Sequence, residues 1–199
     1  MSPALRSCTL PGPIGTCAFS SAIAGNRKAF VIAEPRNLEA RDLAGLDDGH
    51  RPLLPAGSLQ ANALVPLLGA FAPQRLVTST WVRCKATLAP YAKRRKIKLI
   101  ERSQLSELGN ANGPQRTEKV IHDLVEDGRS VVVCTHRPAL PTIVDYLSNY
   151  GTAAQAATLK ATLALAPGDM TVIHMTREKA GVKRRIVSVE TYTPGPPVN

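Results

Sequence analysis

Four short strand-like runs, Ala29–Ala33, Arg75–Thr78, Ile97–Ile100 and Val131–Cys134, alternate with stretches whose apolar residues recur at helical spacing. Leu59, Ala63, Leu64, Leu67, Leu68 and Phe71 mark one such helix, which ends before Pro73. Further helices are expected over Trp81 to Lys93, over Pro114 to Glu126 with a stop at Gly128, and from Pro138 to Asn149. Successive parallel strands need a crossover helix between them, so this order predicts an α/β fold: a mostly parallel central sheet with helices on both faces. The last third changes character. Leu159–Leu165, Met170–Met175 and Arg185–Tyr192 read as strands, with a turn at Pro167-Gly168-Asp169. With no internal repeat and no boundary inside it, residues 27–192 are expected to form one domain, between an N-terminal arm (1–26) and a tail (193–199).

A chain of 199 residues, 44% of them hydrophobic and 20% charged, can bury a sizeable core. Nothing in it approaches the roughly 18 consecutive apolar residues of a spanning helix, so no membrane partner is expected. Aromatic residues make up only 4%, too few for a base-stacking surface, so no specific nucleic-acid partner is expected either. The net charge of +10 is concentrated in two runs, Lys93-Arg94-Arg95-Lys96 with Lys98, and Lys183-Arg184-Arg185. A basic balance arranged this way suits an anionic small molecule. Cys8, Cys17, Cys84 and Cys134 form no C-x-x-C pair and no zinc-spaced set with histidine, so neither a metal nor a cofactor is expected, and the protein reads as reduced and cytoplasmic. Ser7 to Gly25 is uncharged and ends near Ala22-Ile23-Ala24, but Pro11, Gly12, Pro13 and Gly15 break the apolar run that a secretory leader needs.

In an open parallel sheet, ligands bind outside the carboxyl ends of the strands. His136 follows the Val131 strand and directly precedes Arg137-Pro138, where a helix N-terminus faces any bound anion. Arg83 starts the helix after the Leu76-Val77 strand and can fork two N–H donors onto a phosphate. Both follow strands of one sheet, so they are expected to converge on one anion site.

Taken together, Arg51-Pro52-Leu53 through Gly57 with Gln60-Ala61, then Thr78-Ser79 with Arg83 and Thr87, then Leu105-Ser106-Glu107, then Val132 to His136 resemble the histidine phosphatase superfamily, the phosphoglycerate mutase-like three-layer fold. The resemblance runs from Lys28 to Tyr192 and looks closest to the phosphatase-like domain that follows a Nudix domain in actinobacterial MutT-like proteins. It implies a covalent phosphohistidine: a histidine after the first strand attacks phosphorus, arginines and the second histidine hold the oxygens, and a carboxylate protonates the leaving oxygen. By that resemblance Arg83, His136 and Arg36 are the phosphate-binding candidates, and Glu107 with His136 the catalytic ones.

The sequence departs from the family where the nucleophile should stand. After Phe30-Val31-Ile32 come Ala33-Glu34-Pro35-Arg36-Asn37, and the first histidine in the chain is His50. His50 sits at the far end of the Glu34–Gly49 loop, while His122 and His174 fall within a helix and a strand and read as structural. Glu34 is a poor substitute, since a carboxylate beside phosphate is repelled. A cysteine-phosphatase loop fails because Leu140, not arginine, stands six positions after Cys134, and Asp47-Asp48 with His50 is too sparse for a metal-dependent hydrolase. The resulting expectation is a degenerate domain that binds a phosphorylated or nucleotide ligand with weak or no turnover. The alternative is an active phosphohydrolase on nucleotides or phosphoproteins that uses a non-standard nucleophile. A separate Nudix protein is the partner that the resemblance implies.

Overall fold

The computed structural model describes residues 27–33, 47–166, 168–176 and 184–194. Its six strands are β1 (Arg27–Ala33), β2 (Arg75–Thr78), β3 (Leu99–Glu101), β4 (Val131–Cys134), β5 (Met170–Thr176) and β6 (Ile186–Tyr192), in the sheet order β3-β2-β4-β1-β5-β6. The pairs β2–β3, β2–β4 and β1–β4 are parallel, and β5 runs antiparallel to both β1 and β6. The expected α/β class therefore holds, with a parallel half and an antiparallel half in one sheet.

Alternate residues of the strands face opposite layers, as the pleat requires. Leu76, Val132, Cys134, Met170 and Val172 pack with Leu64, Leu68, Leu88 and Tyr91 of helices α1 (Pro55–Phe71) and α2 (Val82–Arg95). Val77, Val131, Val133, Ile173 and Met175 pack on the other side, against Ile121, Leu124, Ile143, Leu147 and Leu159. Those residues come from α4 (Pro114–Asp127), α5 (Leu140–Ser148) and α6 (Ala153–Ala161). Each face thus removes several large side chains from water, at roughly 1.5–3 kcal/mol apiece, and this burial holds the three layers together.

The Leu159–Leu165 stretch, expected as a strand, is instead the end of α6 and a 3-10 turn over Thr162–Ala164. Its start explains why. Thr152 Oγ1 accepts from the Gln155 N–H at 3.3 Å, Gln155 Oε1 accepts from the Thr152 N–H at 2.8 Å, and this capping box opens a helix through an alanine-rich run. The third strand begins at Leu99 rather than Ile97, because Lys96 takes a left-handed conformation (φ 55°) and the Ile97 N–H closes the end of α2 on the Ala92 carbonyl. A short helix, α3 (Glu107–Ala111), occupies the start of the expected Gly109–Gln115 loop. The expected arm, Glu34, Arg36, Lys183 and residues 195–199 of the expected tail lie outside the described residues. Among the described residues, no helix is long and apolar enough to cross a membrane.

Candidate functional site

Register decides what meets at the carboxyl edge. Thr78 and Ala33 both align with Cys134, and Thr78 aligns with Glu101, so the segments leaving β1, β2, β3 and β4 emerge side by side. The Ser79 N–H extends the ladder by one bond to the Cys134 carbonyl at 3.0 Å. Beyond it, Trp81 caps α2 in an extended conformation and directs Arg83 inward from the helix's first turn.

Arg83 has no exposed surface. Its Nη1 donates to the Asp48 carbonyl at 2.8 Å, and its Nη2 donates to Asp48 Oδ2 at 3.1 Å and to Glu107 Oε1 at 2.8 Å. The guanidinium lies over the Trp81 ring at 4.4 Å, while its Nε meets no partner among the described residues. Burial lowers its pKa and the Glu107 carboxylate opposes that change. Asp48 sits on a 3-10 turn (Asp48–His50) and also pairs with Arg51 of the Arg-Pro-Leu segment.

Glu107 is placed by its own turn. The Ser106 hydroxyl accepts from the Gly109 N–H at 2.9 Å as the N-cap of α3. A Cβ at position 109 would strike the Ser103 backbone, so a glycine is required there by close approach. Thr135 Oγ1 donates to the Leu105 carbonyl at 2.8 Å and ties the exit of β4 to this turn.

His136 is 2% exposed. Its Nε2 lies 2.9 Å from Ser79 Oγ and 3.3 Å from Cys84 Sγ, its Nδ1 lies 3.6 Å from Glu107 Oε1, and its ring meets the Trp81 ring edge-on at 4.6 Å. Burial first, and the Arg83 charge second, push its pKa down to about 3, so the imidazole is neutral at pH 7. Glu107 Oε1, one-third exposed, stands 3.6 Å from Nδ1, beyond hydrogen-bond distance.

The structure therefore brings Arg83, Glu107 and His136 into one cluster. His50 is exposed and bonds Asp47 (3.2 Å), His122 bonds the Tyr146 hydroxyl at 2.8 Å, and His174 stands 3.6 Å from Glu190 on the antiparallel half. Ser79, Trp81, Cys84 and Asp48 complete the cluster without having been singled out from sequence as site residues. Ser79 was within reach of the same rule that found His136, since each stands just past a parallel strand. Asp48 had no such signal, because its role depends on a loop folding back 35 positions onto α2. No group of three His, Cys, Asp or Glu side chains gathers to hold a metal among the described residues. The exposed Lys93–Lys96 run caps the far end of α2, away from the strand ends, and Arg184 donates to the Glu126 carbonyl at 2.7 Å.

The family model of the histidine phosphatase superfamily (branch 1) matches residues 36–118, a span that contains Arg51, Arg83 and Glu107 and stops short of His136. Among solved structures, the chain is similar to the putative phosphohistidine phosphatase SixA from Nakamurella multipartitia, at 20% identity and a TM-score of 0.60 over 82% of this chain and 95% of that one. It is also similar to the putative phosphohistidine phosphatase SixA from Agrobacterium tumefaciens (16%, 0.56, 82% and 96%). A third likeness is to mycobacterial glucosyl-3-phosphoglycerate phosphatase in complex with inorganic phosphate (14%, 0.56, 85% and 98%). A parallel β3-β2-β4-β1 core, its layered helices and the matched span agree: the chain is built on the fold of the histidine phosphatase superfamily.

Proposed function

We propose that this protein is a degenerate histidine phosphatase domain that binds a phosphorylated or nucleotide ligand and turns it over weakly or not at all. The observation that carries the reading is a fully buried arginine beside a neutral histidine at the carboxyl edge of the parallel strands, in a sequence with no histidine before His50. A buried guanidinium is costly to desolvate, and here two carboxylates and an aromatic face hold it at the strand ends. The mycobacterial neighbour's complex with inorganic phosphate supports an oxyanion as the ligand chemistry. Arg36 joins Arg83 and His136 as a phosphate contact in this reading, and Glu107 is the catalytic carboxylate beside them. The protein works in the cytoplasm, with a separate Nudix protein as its partner.

Calorimetric titration with inorganic phosphate and with nucleoside phosphates tests this. A charge-assisted bidentate contact contributes roughly 1.5–3 kcal/mol, so Arg83→Ala is expected to weaken binding about tenfold or more. A variant neutralising Lys93, Arg94, Arg95, Lys96 and Lys98 is expected to keep the binding. The opposite pattern would transfer the function to that basic run and end the phosphate-pocket reading.

A further inference from the structure

Ser79 is the first residue past β2, and His136 stands two residues past β4. The hydrogen positions between them follow from their partners. Glu107 Oε1 lies 3.6 Å from Nδ1, beyond hydrogen-bond distance, and its carboxylate charge favours the ring proton on Nδ1, which leaves Nε2 to accept. Cys84 has its own acceptor in the Thr135 carbonyl, 3.6 Å from Sγ, so it need not claim the Nε2 lone pair. Ser79 Oγ accepts from the Trp81 N–H at 3.2 Å, and its own proton is then free to point at Nε2, 2.9 Å away. Carboxylate, neutral imidazole and hydroxyl form one relay, the arrangement that activates a hydroxyl as a nucleophile.

We propose that Ser79 is the nucleophile of this site and accepts a phosphoryl group from a phosphomonoester, with His136 as its general base. The proposal rests on the reading of the Arg83–His136 cluster as a phosphate site. In the ligand-free arrangement, Ser79 has no exposed surface and Asp48 covers Arg83. The entering phosphoryl group displaces the Asp48 carboxylate, which hangs from a three-residue turn with its side chain 37% exposed. The Oγ–P bond then forms as the bond from phosphorus to the leaving oxygen breaks, and the Oγ proton passes to Nε2. The leaving oxygen departs with the bonding pair and takes a proton from water, and the hydroxide so formed removes the proton from the imidazolium. A second water cleaves the phosphoserine and restores Ser79 and inorganic phosphate. Burial keeps His136 a weak base until the dianion arrives and raises its basicity, so transfer is slow, in keeping with weak turnover.

The test is acid-quenched labelling of the full chain with p-nitrophenyl phosphate, followed by peptide mapping by mass spectrometry, with phosphate binding by the same protein measured by calorimetry. Phosphoserine survives both acid and hydroxylamine, whereas phosphohistidine is lost in acid and acyl phosphates are cleaved by hydroxylamine. One acid-stable phosphoryl group on the Ser79 peptide is expected. It should be absent in Ser79→Ala and appear about a hundredfold more slowly in His136→Gln. Glu107→Gln, the milder change, is expected to slow labelling without abolishing it. An acid-labile or hydroxylamine-labile label, a label that persists in Ser79→Ala, or no label on a protein that binds phosphate overturns the Ser79 assignment alone. Loss of both label and phosphate binding in the wild type overturns the phosphate site with it.

Discussion

Strands β2 and β4 carry an arginine–carboxylate cluster at each end, and the two obey opposite rules. At the amino end, Asp127 accepts three hydrogen bonds from Arg129 (2.8, 2.9 and 3.1 Å) and an ion pair from Arg75 at 3.1 Å. Two cations serve one carboxylate beside water, and the Arg129 hydrogen bonds, with Arg75 assisting, hold the Asp127 pKa at about 2 against a modest cost of burial. At the carboxyl end the charges run in a chain, Arg51–Asp48–Arg83–Glu107, that ends beside the neutral His136, and its cation Arg83 is wholly buried. The first cluster is saturated where it stands. The second shares one desolvated guanidinium between two carboxylates, one on the Asp48–His50 turn and one at the start of α3. The same pair of residue types serves as a surface clip at one end of the strands and as a buried, shared-ion cluster at the other, and burial makes the difference.

The largest effect expected from this contrast is on stability. Arg83→Met leaves Asp48 and Glu107 facing each other without their shared cation and should cost about 3–5 kcal/mol in urea denaturation, whereas Arg129→Ala should leave the midpoint nearly unmoved. Equal losses at the two ends would erase the distinction.

Acid titration separates the ends next. The His136 pKa is lowered in the fold, so the unfolded chain takes up a proton near pH 6.5 while the folded chain resists to about 3. Stability should therefore fall as pH drops from 6.5 toward 3, at about 1.4 kcal/mol for each pH unit and by a few kcal/mol at most, and His136→Gln should flatten that slope. Asp127 acts in a lower window, because its stabilisation is present above 3.8 and lost as pH falls through about 2.

Two smaller effects sharpen the picture. Asp48→Asn removes the carboxylate that competes for Arg83, so phosphate affinity measured by calorimetry should rise about threefold to tenfold, a change of roughly 1 kcal/mol. A fall in affinity would mean that Asp48 helps to bind the ligand rather than to occupy its place. Asp127→Asn should cost about 1 kcal/mol or less at neutral pH and shrink further as salt rises.

The sheet's parallel core was legible from residue order, because Leu76-Val77 and Val131–Cys134 are short apolar runs and the segments between them have a helical period. Leu159–Leu165 misled for a local reason: its residues suit strand or helix, and the Thr152–Gln155 capping box that chose the helix lies upstream of it. Arg83, Glu107 and His136 were legible because each stands at the start of a segment that leaves the strand edge, or in a motif that the family shares. Ser79 was visible in the same motif, but its chemistry was not, since a serine becomes a nucleophile only through the atoms that surround it.

By itself, then, the sequence determined the order and period of the elements, the polarity of the strand ends and the lack of any histidine before His50. Those properties are local, set by composition and spacing along the chain. Only the tertiary structure decided that Asp48 would cover Arg83 from 35 positions away, that Glu107 Oε1 would stand 3.6 Å from His136 Nδ1, and that Ser79 would meet Nε2 at 2.9 Å. These are contacts between segments brought together by register and desolvated by packing, and their strength comes from that exclusion of water, which no stretch of sequence encodes alone.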